Sequence, residues 1–251
     1  MSSNALPAAC PATASTPVTP GPLGLAVLLS GGFITIFDLF VVNVAIPSMQ
    51  ATLDASFAQI NFIIVAYELA YGVLLIAGSR LGDRHGRRRL FMLGMAGFAV
   101  ASALCGLAPD ANALIAARVL QGAAAAMLFP QVYALIRVSY DGHARRRAFG
   151  LLGMTLGLAA IAGQVLGGWI VHADWFGLAW RTIFLVNVPL GLIAWRLARH
   201  IPESRDAAGA SMDWPGSALV GLGLGLLLLA LVEGPALSLI HISEPTRPER
   251  I

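Results

Sequence analysis

Apolar residues run along the chain in stretches of about 20 or more, each broken by a short polar or charged interval. The stretches fall at approximately 23–46, 59–79, 90–108, 112–138, 148–172, 180–199 and 213–234. An α-helix rises 1.5 Å per residue, so about 20 such residues cross the hydrocarbon of a bilayer. The pattern predicts seven transmembrane helices and an all-α polytopic membrane protein. The intervals are too short to hold a soluble domain. Residues 1–22 are rich in Ser, Ala, Pro and Thr and carry no basic residue. They lack the positive start of a secretory signal and are expected to form a flexible tail.

Composition agrees with the pattern. Hydrophobic residues make up 57% of the 251 and charged residues 12%. An average soluble domain is about 25% charged. An ordinary soluble protein and a disordered chain are both excluded. The net charge of +3 invites a nucleic-acid reading, but the placement of the charges rejects it. The chain has no Lys. Arg80, Arg84, Arg87, Arg88 and Arg89 lie between spans 2 and 3; Arg137, Arg145, Arg146 and Arg147 lie between spans 4 and 5. Arg196, Arg199 and Arg205 follow span 6. The alternate loops hold Asp54, Asp110 and Asp174, with Arg181 at a span edge. The positive-inside rule puts the Arg-rich loops and the N-terminus in the cytoplasm, with the chain in the inner (plasma) membrane. Cys10 and Cys105 imply no disulfide framework.

Three ionisable residues fall well inside spans: Asp38, Glu68 and Arg118. A charge at mid-bilayer costs about 2.5–3.5 kcal/mol on insertion scales, so it is seldom ornamental. Counted from the outer ends of their spans, all three lie within roughly 5 Å of one depth. Acids and a base at one level are expected to share a polar cavity. Burial and a neighbouring opposite charge act on a carboxyl in opposite senses, which suits a reversible proton carrier. Gln121 stands one turn from Arg118 on span 4. The bland reading of these groups is a structural ion pair that fixes helix packing.

Span 5 reads GLLGMTLGLAAIAGQVLGGW. Gly153/Gly157 and Gly163/Gly167 have small-x-x-x-small spacing and Gly168 follows; Gly122 and Ala126 repeat the spacing on span 4. Such pairs let helix backbones approach closely, and a helix this rich in Gly also bends. Pro47, Pro130 and Pro189 are expected to end or kink spans 1, 4 and 6. After span 2, Gly82-Asp83-Arg84-His85-Gly86-Arg87-Arg88-Arg89 forms a compact charged reversal. Asp83 is expected to cap the start of span 3, and Gly86 to make the turn.

RLGDRHGRRR resembles the signature loop between helices 2 and 3 of the major facilitator superfamily, through Leu81, Gly82, Asp83, Arg84, Gly86, Arg87 and Arg88. Arg118 to Pro130 resembles the family's helix-4 motif RxxxGxxxA. FDLFVVNVAIP, with Asp38, Asn43 and Pro47, is similar to the helix-1 motif of the fourteen-span drug:proton antiporter branch. WRTIFLVNVPLG and Asp213-Trp214-Pro215-Gly216 resemble that branch's helix 6 and the start of its helix 7. On helix 5 the antiporter motif carries Gly-Pro before x-x-Gly-Gly; here Gln164 replaces the Pro between Gly163 and Gly167-Gly168.

The resemblance implies a six-helix N-terminal transporter bundle over 23–200, built of two three-helix repeats. A cytoplasmic linker over 201–212 and a seventh helix over 213–234 would follow. It implies proton-coupled efflux of hydrophobic or cationic drug-like compounds. Asp38, Asn43, Glu68, Arg118 and Gln121 would serve the proton and substrate cavity. The loop residues 82–84 and 86–88 would form a conformational switch. Gly157, Gly163, Gln164, Gly167 and Gly168 would act in packing or hinging. The expected partners are a small-molecule substrate, protons, the lipid bilayer and a C-terminal half that this sequence lacks. No cofactor, metal or nucleic acid is expected. LSLIHISEPTR, Leu237 to Arg247, reads as the translation of a transposase sequencing adapter, so 237–251 are expected to be an artefact.

An intramembrane enzyme is disfavoured: His85, His143, His172 and His200 lie in loops or at span ends, with no HExxH or GxSxG. A retinal protein needs a Schiff-base Lys. A facilitator for a metabolite or sugar is the remaining alternative.

Overall fold

The computed structural model describes residues 20–205, 216, 219–223 and 225–227. Helices dominate: α1 Pro22–Leu53, α2 Phe57–His85, α3 Arg87–Gly106, α4 Ala111–Ser139, α5 Gly142–Ala173, α6 Arg181–Leu185 and α7 Asn187–Leu197. Among the described residues, six helical stretches are long and apolar enough to cross a membrane, the sixth being Arg181–His200. These match the first six expected spans. Within the expected seventh, residues 216, 219–223 and 225–227 are helical, and Gly221 brings that helix against the Val73 carbonyl of α2. The remainder of 213–234, and the expected artefact over 237–251, lie outside the described residues. So do residues 1–19 of the expected tail and 206–212 of the expected linker.

The helix limits follow local chemistry. Ser56 and Gln59 form a reciprocal capping box at the start of α2. Asp110 accepts the Ala113 N–H at 2.9 Å to cap α4. Pro47 does not end the first span, because α1 continues to Leu53. Pro189 does act: its ring excludes the carbonyl of Leu185, where α6 stops. The sixth span therefore breaks just before Asn187.

α2 and α3 pack along α4, α5 packs along α1, and the broken sixth span packs against α3 and α1. On α4, Pro130 has no N–H, so the Ala126 carbonyl lacks its usual helical donor. Gly78 of α2 lies directly against that carbonyl, where any Cβ would collide. Gly122 lies in the same way against the Tyr67 carbonyl, and Gly94 of α3 against the Leu128 backbone.

Two apolar clusters fill the bundle. One, around Phe91, Met95, Phe98, Leu128 and Val132, lies toward the Arg-rich end. The other, around Val41, Met49, Ile63, Leu114 and Trp180, lies toward the opposite end. The buried polar residues Asp38, Ser102, Arg118, Gln121 and Asn187 sit where the two meet.

Candidate functional site

At that junction Arg118 and Asp38 are fully buried and paired, with Nη1 2.5 Å from Oδ2. Gln121 bridges them. Its Oε1 accepts from Arg118 Nη1 at 2.8 Å, and its Nε2 donates to Asp38 Oδ1 at 2.8 Å and to Ser102 Oγ at 2.8 Å. Cys105 Sγ donates to the same Oε1 at 3.4 Å. Asn187 Nδ2 donates to Asp38 Oδ1 at 3.0 Å, while its own Oδ1 is buried without a partner among the described residues. Arg118 Nε donates to the Ile63 carbonyl at 3.2 Å, and the guanidinium lies over the Tyr67 ring, 4.3 Å from its centroid. The carboxylate thus receives donors from α4 and from the break in the sixth span. A buried ion pair is tolerable only when its remaining hydrogen-bonding capacity is filled in this way.

Two of the expected cavity residues stand apart from this cluster. Glu68 does not join this cluster: it is exposed, one residue round α2 from the buried Tyr67, and lines a small separate pocket with Thr35, Leu39 and Tyr71. Asn43 is also exposed, and its Nδ2 donates to the Leu39 carbonyl of its own helix at 3.3 Å. In their place stand Asn187, Ser102 and Cys105. Asn187 carried a signal in the sequence, as an amide inside an apolar run two residues before a proline.

The loop after α2 is a single residue, Gly86, with φ of 108°. Asp83 therefore belongs to the last turn of α2 and does not cap α3, which has no side-chain cap. Instead its Oδ1 takes Arg87 Nε at 2.9 Å and Nη2 at 2.6 Å, joining the two helices. Glu203 and Ser204 complete the junction. Glu203 accepts from the Arg88 N–H at 3.1 Å and lies 3.7 Å from both the Arg88 and Arg89 guanidinium groups. Arg87 donates its N–H to the Ser204 carbonyl at 2.8 Å and Nη1 to Ser204 Oγ at 3.0 Å. Glu203 would fill the space beside Gly86 that a Cβ needs. Gly82 seats against the Gln131 side chain of α4. Arg84 forms no ion pair among the described residues.

On α5, the two glycine pairs differ. Gly163 meets Phe37 and Phe40 of α1, Gly167 meets Val41 and Gly168 meets Val44. A Cβ at Gly153 or Gly157 would meet nothing within 4 Å among the described residues, so they are not a packing pair within this bundle. Gln164 is exposed.

Six helices long and apolar enough to cross a membrane, with an ion pair buried among them, define a polytopic membrane protein. The sequence profile of the Major Facilitator Superfamily matches residues 28–242, and the chain belongs to that family. It is 40% identical over 211 residues to a probable actinorhodin transporter of Streptomyces coelicolor, covering 84% of this chain and 36% of that protein. It is 39% identical over 212 residues to a puromycin resistance protein of Streptomyces alboniger, covering 84% and 41%. The chain thus spans less than half the length of these relatives. Among solved structures, a proton:xylose symporter superposes with a TM-score of 0.63 at 17% identity, over 87% of this chain and 53% of that one. A peptide transporter superposes with a TM-score of 0.65 at 15% identity, over 88% and 48%. These two likenesses carry the fold alone. The chain is a multi-pass membrane protein of a transporter family.

Proposed function

We propose that this bundle is the six-helix half of a proton-coupled exporter of hydrophobic, drug-like compounds. The observation that carries the reading is the Asp38 carboxylate, wholly buried at mid-span yet held by three donors, one of them the Arg118 guanidinium. An intramembrane acid of this kind is a functional group by default. The unpartnered Asn187 Oδ1 supports proton traffic at the site. When Asp38 takes a proton, its new O–H needs an acceptor, and rotation of the Asn187 amide supplies one. Proton gain weakens the pull on Arg118 and loosens α1 from α4. The relatives named for antibiotic resistance and export support a drug as the cargo. The Asp83–Arg87 and Glu203 contacts are the switch at the cytoplasmic ends of the helices.

The test replaces Asp38 with Asn in the complete gene, which fixes a neutral side chain of equal shape. In everted vesicles, drug transport driven by an imposed proton gradient is expected to vanish while drug binding persists. Gradient-driven transport at the normal rate would remove Asp38 from coupling.

The same reading places the N-terminus and the Arg-rich loops in the cytoplasm of a cell with this protein in its inner membrane. With Cys10 changed to Ser, a Cys at the exposed Ala144 is expected to resist an impermeant maleimide in intact cells. A Cys at the exposed Ala58 is expected to react. The opposite labelling pattern inverts the topology.

A further inference from the structure

Five rings form a continuous series across three helices, starting at Tyr67 against Arg118 and running away from the Asp38–Arg118 cluster. Tyr67 stacks on Tyr71 at 6.3 Å, Tyr71 meets Phe129 edge-on at 6.2 Å, Phe129 meets Tyr133 at 5.3 Å, and Tyr133 meets Phe149 at 6.1 Å. The last four line an open cleft of about 650 Å³ between α2, α4 and α5. That volume lies within the range of about 300–1,000 Å³ that holds drug-sized ligands.

The rim of this cleft is charged. Arg80 and Arg137 line it at its Arg-rich end. Phe129, Tyr133 and Arg137 follow one another at four-residue steps, so they share one face of α4. Of the other arginines at this end, Arg87 is paired with Asp83, Arg88 and Arg89 with Glu203 and Arg145 with Asp141, while Arg84, Arg146 and Arg147 form no ion pair among the described residues but do not line the cleft. Arg80 and Arg137 are exposed and have no carboxylate partner among the described residues. Tyr71 and Phe129 also line the pocket that holds Glu68. Glu68 and Arg80 are twelve residues apart on α2, roughly 18 Å along its axis. The cleft is thus basic at one end, aromatic along its walls and acidic beyond them.

We infer that this cleft binds planar aromatic compounds bearing an acidic group, with the rings among Tyr71, Phe129, Tyr133 and Phe149 and the anion on Arg80 and Arg137. The inference rests on the transport reading above and names its substrate class. Stacking gains from flat rings over aromatic walls. A guanidinium pair binds a carboxylate or sulfonate through charge-assisted hydrogen bonds that a neutral or cationic ligand cannot form. Glu68 repels the acid from the far end and so sets the ligand's direction.

The test uses the product of the complete gene purified in non-ionic detergent. The probes are 2-naphthoate, 2-naphthalenemethanol and 2-naphthylmethylammonium, their binding followed by naphthalene fluorescence. Naphthoate is expected to bind more tightly than the ammonium. Arg80→Gln with Arg137→Gln is expected to weaken naphthoate about tenfold, the size of one charged hydrogen bond, and the alcohol less than twofold. Lys at both positions should restore most of the naphthoate affinity, and Tyr133→Ala should weaken all three probes. Equal loss of naphthoate and alcohol in the double Gln variant, or a preference for the ammonium, overturns the charge assignment and leaves proton-driven efflux standing. Failure of all three probes to bind overturns the cleft as a site. Loss of gradient coupling in the Asp38 experiment is read independently, in vesicles, and has no bearing on these affinities.

Discussion

Arg118→Ala is expected to destabilise the bundle by about 3–5 kcal/mol, because it leaves a buried carboxylate without its counter-charge. The loss goes beyond one ion pair. Arg118 also satisfies the Ile63 carbonyl, fills one lone pair of Gln121 and covers the Tyr67 ring. Removal of the guanidinium therefore strands groups on α1, α2 and α4 together. Combining Arg118→Ala with Asp38→Asn should recover a large part of the deficit, since neutral Asn does not demand a cation. Lysine at 118 is expected to rescue poorly: a point charge cannot serve Asp38, Gln121 and the Ile63 carbonyl at once. Unfolding in mixed micelles, followed by circular dichroism as the fraction of denaturing detergent rises, gives the comparison. Equal stability of the single and double variants would mean that charge pairing contributes little at this site.

Gly122→Val is expected to have an effect of comparable size, about 3 kcal/mol of overpacking at the upper end of the usual range. A Cβ at 122 would collide with the Tyr67 carbonyl and approach Ala70 to 3.0 Å. The obstacle is backbone, so α2 and α4 must separate, and Tyr67 must leave the face of Arg118. Gly153→Ala makes the control. It meets nothing within 4 Å and removes a flexible residue from a helix, so it should be neutral or gain up to about 1 kcal/mol. The same unfolding measurement applied to both variants checks the contrast. Parity between them would refute the close α2–α4 contact.

Six spans and the charge placement were readable in the sequence because each depends on local hydropathy and local charge. The Asp38–Arg118–Gln121 set was also readable, since a charge inside an apolar run is conspicuous wherever it falls. Glu68 shows where such reading fails. Residue counting gives depth along a helix but not the direction a side chain faces, and neighbouring residues point about 100° apart. Tyr67 faces Arg118; Glu68 faces away. Asn187 and Glu203 were missed for another reason. They lie 149 residues from Asp38 and 115 from Arg88, and only the folded chain brings them together. Asp83 was placed one element too late because Gly82 looked like the start of a loop, whereas α2 runs through it to His85. The two glycine pairs of α5 have identical spacing. Whether such a pair packs depends on what stands opposite, which spacing does not encode.

The distance between Asp38 and Arg118 along the chain has a consequence for synthesis. They are 80 residues apart, so at about 5–20 residues per second the ribosome delivers the arginine on the order of ten seconds after the aspartate. During that interval α1 must hold an unpaired acid in or beside the membrane. It is the most apolar of the six spans, which offsets the penalty of about 2.5–3.5 kcal/mol for a lone charge at its centre. α4 can then enter with its arginine met by a waiting partner, and Asn187 closes the cluster last. The order in which the charges emerge thus sets the order of pairing: α1 holds its acid until α4 brings the arginine.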